Sequence, residues 1–109
     1  MIKWEDFEKI DLRVGTIIKC ERFLEAKKPA FKLLIDFGDG IGLKKSSAQI
    51  THLYAPEDLV DRQIVAIINF PPKQIGSFIS ECLVLGIYGQ DGVILLSPER
   101  KAANGAKIG

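Results

Sequence analysis

The spacing of apolar residues changes from a helical to a strand period close to the amino terminus. Trp4, Phe7 and Ile10 recur at helical spacing with charged residues between them, which predicts a short amphipathic helix. From Asp11 to Phe23 the apolar residues alternate instead, which predicts a long strand with Gly15 in its interior, where glycine commonly permits a bulge or a bend. Because so short a helix is unstable alone, we expect its Trp4/Phe7 face to dock on the same domain or on a second subunit.

Alternation and turn residues predict that the rest of the chain is a small all-β domain. In chain order the predicted elements are a strand over Phe31–Phe37, a hairpin turn at Gly38–Gly40, a strand from Ile41 to Ser47, a helical turn over Tyr54–Leu59, strands over Ile64–Ile68 and Glu81–Ile87, and a returning strand over Val93–Leu96. The carboxyl-terminal residues form an extension. This order predicts a single domain over residues 1–109, a five-stranded Greek-key barrel of the OB type, with an SH3-like barrel as the main alternative.

One proline-braced stretch, Asn69–Ser80, stands out between two predicted strands. Pro71 and Pro72 lack backbone donors and fix their own φ, so they hold the chain extended and outside the hydrogen-bonded ladder. Lys73 follows at the tip, and Gly76 permits a positive φ. The stretch is either a rigid loop that presents a cation to a partner or an ordinary connection between strands.

The composition and the net charge indicate that any charged partner binds a local patch of the surface. The chain is 47% hydrophobic and 27% charged, and its net charge of +1 gives no global attraction to nucleic acid or membrane. A local basic bias comes from lysines near the first three strands, namely Lys27, Lys28, Lys32, Lys44 and Lys45. Cys20 and Cys82 form no metal-binding pair, so we expect two buried, reduced thiols. No signal peptide or membrane span is evident, and we expect a cytoplasmic protein.

Catalytic chemistry has little support in the sequence. His52 is the only histidine and has no acidic partner at motif spacing, and neither a phosphate-binding GxxxxGK[ST] nor a Gly-x-Gly-x-x-Gly motif occurs. We therefore expect a protein that is not an enzyme and that uses no cofactor or metal.

Four motifs in order resemble a known family over nearly the whole chain. They are Asp11-Leu12-Arg13-Val14-Gly15, Tyr54-x-Pro56-Glu57-x-Leu59, Asn69-Phe70-Pro71-Pro72-Lys73-x-x-Gly76-x-x-x-Ser80 and Asn104-Gly105-x-x-Ile108. Together they resemble the tRNA-binding domain, an OB-fold domain found in some aminoacyl-tRNA synthetases and as free-standing dimers. Ser46–Thr51 and Asn69–Pro72 resemble in particular the stand-alone, export-related chaperones of the CsaA type.

The resemblance implies two functions and a set of residues for each. It implies a chaperone for unfolded or export-bound polypeptides with a tRNA-binding surface, or alternatively a free-standing structure-specific tRNA-binding protein. The candidates for nucleic-acid binding are Lys73, Arg13, Asn69, Ser80, Lys27 and Lys28. Arg13 has the alternative of pairing with Asp11 or Glu21, and Asn69 that of satisfying the backbone that the prolines leave unpaired. The candidates for polypeptide binding are Phe70, Ile75, Phe78 and Ile79, and those for a homodimer contact are Trp4, Phe7, Ile64, Ile68 and Ile108.

Overall fold

A computed structural model describes the whole chain, residues 1–109, as an antiparallel barrel with two hairpins at its rim. Its elements are α1 (Trp4–Glu8), β1 (Leu12–Arg22), β2 (Phe31–Asp36), β3 (Leu43–Ala48), α2 (Pro56–Leu59), β4 (Gln63–Ile67), β5 (Lys73–Ile75), β6 (Phe78–Ser80), β7 (Leu83–Val84), β8 (Gly86–Tyr88) and β9 (Val93–Leu95). One sheet has the order β3-β2-β1-β4-β7, and β5–β6 and β8–β9 form separate hairpins. The predicted glycine turn and the helical turn begun by Pro56 are confirmed.

One main-chain and two side-chain hydrogen bonds bring the two edges of the sheet together. The Glu81 N–H donates to the carbonyl of Lys45 at 2.7 Å, and the Glu81 carboxylate accepts the Lys45 N–H at 2.9 Å. The hydroxyl of Ser80 accepts the Ser47 N–H at 3.1 Å. Because these bonds join β3 to the segment that leads into β7, the sheet becomes a nearly closed five-stranded barrel, and the predicted OB-type architecture is confirmed.

The barrel core comes from the inward face of β2 and from its neighbours. Phe31, Leu33 and Ile35 are completely buried on alternate positions of β2, and Ile17 and Ile64 are buried opposite them. This alternation is the sequence pattern that predicted the strand.

β1 changes its inward-facing residues at a bulge, which lies at Ile18 and not at Gly15. The register against β2 shifts between Ile17 and Lys19, so Ile17 and Cys20, three positions apart, both pack toward the core, whereas Ile18 is 41% exposed. Gly15 has a different role, since a Cβ atom there would lie 2.6 Å from Ile35 and 2.8 Å from the ring of Phe37. The glycine lets β1 pass close to the core.

The prediction of one fifth strand over Glu81–Ile87 is wrong. The chain changes partners at Leu85, whose N–H donates to Val65 of β4 while its carbonyl accepts the N–H of Leu96, and the strand therefore splits into β7 and β8. Pairing also occurs inside the proline-braced stretch. The prolines stay outside the ladder as predicted, but β5 and β6 form a hairpin directly after them, turning at Gly76 with φ +59°.

The amino-terminal helix packs no side chain into the core of its own domain. None of its residues is buried, and Trp4 is 70% exposed with its ring 5.4 Å from that of Phe7.

Both cysteines are free thiols; Cys82 is buried and Cys20 is half-buried. Desolvation raises the pKa of each thiol to about 11. The longest helices of the chain are too short to cross a bilayer.

Candidate binding groove and basic strand face

A groove of about 600 Å³ opens between the end of β3 and the β5–β6 hairpin. Its volume is within the range of ligand-binding clefts, and most of its lining is apolar. The lining consists of Ser47, Ala48, Gln49, Ile50, Phe70, Pro71, Lys73, Ile75, Ser80, Cys82, Leu83, Val84, Gly86, Tyr88 and Val93. No carboxylate lies among these residues, and the one cation is Lys73. The groove therefore presents apolar surface with a positive charge on one wall.

The hairpin brings four of the predicted residues to this groove. Lys73 pairs with Ser80 and Ile75 with Phe78, so these side chains project from one face of the hairpin. Lys73, Ile75 and Ser80 line the groove, and Phe70, which precedes the prolines, lines it with 53% of its surface exposed.

Phe78 and Ile79 do not line the groove, although Phe78 shares a face of the hairpin with Ile75. The ring of Phe78 packs edge-on against Phe23 at 5.3 Å, beside the outer face of the barrel. Ile79 pairs with Gln74 on the opposite face of the hairpin, where it is exposed. The structure therefore does not bring all four predicted polypeptide-binding residues to one surface.

Three of the predicted nucleic-acid-binding residues make contacts within the fold. Arg13 donates to the Asp11 carboxylate at 2.6 Å and to the carbonyl of Gly105 at 3.0 Å, which ties the carboxyl-terminal extension to β1. Asn69 hydrogen-bonds to backbone groups, and Ser80 helps to close the barrel. For Arg13 the contact with Asp11 is one of the alternatives left open by the sequence. Asn69 also has a structural contact, but its backbone partners are Lys9 and Asp11 and not the groups beside the prolines.

The loop that carries Lys27 and Lys28 lies beside the tip of the hairpin. The hydroxyl of Ser77 donates to the Glu25 carboxylate at 3.4 Å, which joins the two loops. Lys28 lines a second cavity of about 360 Å³ that shares Gln49, Tyr88 and Val93 with the first groove. The second cavity also contains no carboxylate.

A basic strand face, formed by Lys19, Lys32 and Lys45, lies on the outside of β1, β2 and β3. The ammonium of Lys32 lies 5.6 Å from the ring centre of Phe23 and 6.0 Å from that of Phe78, and the ammonium of Lys45 lies 5.4 Å from the Phe78 ring centre. All three lysines and Phe78 line one shallow depression, which also contains Glu21. The Glu21 carboxylate lies 3.3 Å from the ammonium of Lys19, and Glu21 pairs with Lys32 across β1 and β2. The sequence showed Lys32 and Lys45 only as part of a basic bias. Their outward positions on adjacent strands were the signal that would have grouped them with Lys19.

The predicted dimer residues fall into two groups. Trp4 and Phe7 lie on α1, and two backbone bonds place Ile68 and Ile108 near the start of β1: the Ile68 N–H donates to Asp11, and the Ile108 N–H donates to Leu12. Ile64 belongs to the barrel core and has no exposed surface.

No group of three or more metal-ligating side chains occurs in the chain.

This geometry defines an OB-type barrel with an apolar groove and a basic strand face. Residues 12–107 match the family model for the tRNA-binding domain, and the chain belongs to that family. Two solved structures are similar over essentially their whole length: the CsaA chaperone protein of Picrophilus torridus (55% identity, TM-score 0.96, all of both chains) and the chaperone CsaA of Bacillus anthracis (52% identity, TM-score 0.93, all of this chain and 99% of the other). A methionine–tRNA ligase of Porphyromonas gingivalis is 36% identical over 108 residues, which are 98% of this chain but 15% of the ligase. The chain thus spans less than one sixth of the length of the ligases it matches.

Proposed function

We propose that the protein is a non-catalytic chaperone of the CsaA type, which holds unfolded or export-bound polypeptide segments in the apolar groove. The observation that carries the proposal is the exposed apolar lining of that groove, with Phe70 and Ile75 on one wall and Val84 and Val93 among the lining. A cleft of this kind tolerates many client sequences, because apolar contact is not directional. The similarity to CsaA chaperones over the full length of both chains supports this proposal.

A homodimer is part of the proposal. The helix α1 leaves an exposed Trp4–Phe7 pair, and Ile68 and Ile108 lie beside the strand that follows the helix. A two-fold contact across these residues would cover the apolar face that α1 leaves open and would give each dimer two client grooves.

The second candidate function is binding of tRNA, and the basic strand face favours it. Lys32 and Lys45 offer cations to phosphate groups, and Phe78 lies close to both ammonium groups as an aromatic surface. Lys19 lies beside them in an ion pair with Glu21. Lys73, Lys27 and Lys28 extend the positive charge toward the hairpin. The family to which the chain belongs supports this candidate, and a tRNA partner would be met in the cytoplasm.

Aggregation of a chemically denatured reporter enzyme, followed by light scattering, tests the chaperone function. We expect the protein to suppress scattering and Phe70→Ser to weaken the suppression, because Phe70 makes exposed apolar contact in the groove. The matched control is Leu24→Ser, since Leu24 is 88% exposed and lies outside the groove. Equal loss in both variants, or no suppression by the unmodified protein, would count against client binding in the groove.

Anisotropy of labelled bulk tRNA at low and physiological salt tests the second function. A dissociation constant at or below about a micromolar at physiological salt, with a negative salt slope, would exceed ordinary non-specific attraction and support tRNA binding. Binding seen at low salt alone would count against tRNA binding and leave the chaperone function as the proposal.

A further inference from the structure

The edge of β3 is protected against strand pairing along most of its length but not at its end. The N–H groups of Lys45 and Ser47 are taken by side chains of Glu81 and Ser80. Two residues further on, neither the N–H nor the carbonyl of Gln49 makes a hydrogen bond within the chain. Gln49 lines the groove, so an unused donor and acceptor continue the β3 edge along its wall.

A second open strand edge borders the same groove. β8 pairs with β9 alone, so its other edge carries no partner strand, and Gly86 and Tyr88 of β8 line the groove. A Cβ atom at Gly86 would lie 2.5 Å from a methyl group of Val93, so the residue is glycine for packing reasons and leaves the backbone of β8 uncovered.

The facing wall offers apolar surface, and its proline carries no backbone donor. Pro71 lines that wall and has no N–H, and Phe70 and Ile75 present side chains. A segment in the groove would thus find backbone partners at Gln49 and at β8, and apolar contacts on one of its faces.

We infer that the groove binds its polypeptide in extended form by strand addition, with backbone hydrogen bonds to the β3 end at Gln49 and to the open edge of β8. The inference rests on the proposed polypeptide-binding function and names its mechanism. Backbone hydrogen bonds do not depend on the identity of the client's side chains, which suits clients of varied sequence. The apolar wall selects segments with apolar residues at alternate positions. Lys73 and Lys28, with no carboxylate in either cavity, favour acidic residues at the other positions.

The probe that tests this is a fluorescein-labelled hexapeptide of alternating valine and glutamate, with two N-methylated versions. Alternate residues of an extended strand direct their N–H groups to opposite edges, so one version is methylated at all valines and the other at all glutamates. Strand addition predicts that one methylated peptide loses affinity by about tenfold or more if Gln49 and β8 pair with the same edge of the segment, and that both lose affinity if Gln49 and β8 flank it. Equal affinity of both methylated peptides and the parent would overturn strand addition and leave polypeptide binding intact.

Variants at Gln49 test the protein side. Gln49→Pro removes the unused N–H and restricts Ala48 to the extended conformation that it already has in β3, whereas Gln49→Ala keeps the N–H. We expect the proline variant to bind the peptide about tenfold more weakly than the alanine variant, because both lose the Gln49 side chain and only the alanine variant keeps the N–H. If circular dichroism shows that the proline variant is unfolded, the methylated peptides still test strand addition.

The two proposals fail in different ways. If the parent peptide does not bind while the unmodified protein still suppresses aggregation and Phe70→Ser does not, strand addition is overturned and the chaperone function stands. If both the peptide and the aggregation assays are negative, the proposed function fails as well. Displacement of the peptide by a single-stranded RNA hexamer, with equal affinities for the two Gln49 variants, would reassign the groove to nucleic acid.

Discussion

The side-chain oxygen of Asn69 accepts a hydrogen bond from the backbone N–H of Asp11 at 2.9 Å, across 58 residues of sequence. Its amide nitrogen donates to the carbonyl of Lys9 at 2.7 Å. One side chain therefore joins the residues just after α1, the start of β1 and the segment that leaves β4. Both ends of the amide are occupied by this contact, which gives Asn69 a structural role.

Asn69→Ala should accordingly lower stability and spare tRNA affinity. We expect the free energy of unfolding in urea to fall by about 1 kcal/mol, since two partly solvated backbone groups lose their partner. Gln90→Ala, at an exposed turn, serves as the control and should leave stability unchanged. A large fall in tRNA affinity with unchanged stability would show that Asn69 faces RNA instead.

Most of the fold could be predicted because alternation and turn chemistry are local signals. β2 and its glycine turn follow directly from them. The bulge at Ile18 could not be predicted, because the residues that reverse faces there, Ile17 and Ile18, are the same amino acid. The break at Leu85 also depends on distant partners, Val65 and Leu96, that no local pattern specifies.

The candidate site was predictable in part for the same reason. Lys73, Ile75 and Phe70 lie close together in sequence, and the hairpin carries them to one groove. The basic strand face joins lysines from three strands, so grouping them requires the register between β1, β2 and β3.

The contact between the carboxyl-terminal extension and the core gives a second prediction. Gly105 has φ +86°, and a Cβ atom there would lie 2.5 Å from the carbonyl oxygen of Phe37. Gly40 has a similar φ of +90° with no atom within 4 Å of a built Cβ. We expect Gly40→Ala to cost about 1 kcal/mol of backbone strain and Gly105→Ala about 2–4 kcal/mol in urea unfolding, because the second adds a backbone clash. Equal losses would mean that the extension moves away freely.

The buried thiols predict a fall in stability at alkaline pH. Desolvation raises the pKa of Cys82 and of Cys20 in the folded protein from 9.0 to about 11. Above pH 9 the unfolded chain loses these protons first, so the stability that is fully present below pH 9 is lost as pH rises toward 11. The check is urea unfolding at pH 8 and pH 10.5 for the protein and for a Cys20→Ala/Cys82→Ala variant. The variant should lose less stability between the two pH values, and an equal loss in both proteins would contradict the linkage.

The basic strand face predicts a change in the salt dependence of tRNA binding. Replacing both Lys32 and Lys45 by Ala should weaken binding and reduce the slope of log K against log salt by about two, since each phosphate contact contributes about one. Lys101→Ala is the matched control, because Lys101 lies on the carboxyl-terminal segment away from this face. Aggregation suppression should be unchanged in the double variant. An unchanged slope would remove these lysines from the RNA contact and leave Lys73, Lys27 and Lys28 as candidates.

The exposed face of α1 predicts a dimer that depends on Trp4. Trp4 is 70% exposed, makes a ring contact with Phe7 and reaches no core residue, so Trp4→Ser should cost the isolated chain little stability. Loss of a large apolar contact at a two-fold interface should instead shift sedimentation toward the monomer, by about tenfold or more in the dimer dissociation constant. Leu24→Ser is the control, because it removes a still more exposed apolar side chain from a loop away from α1. A dimer that persists in Trp4→Ser but dissociates in Leu24→Ser would move the interface to the loop between β1 and β2, beside the client groove.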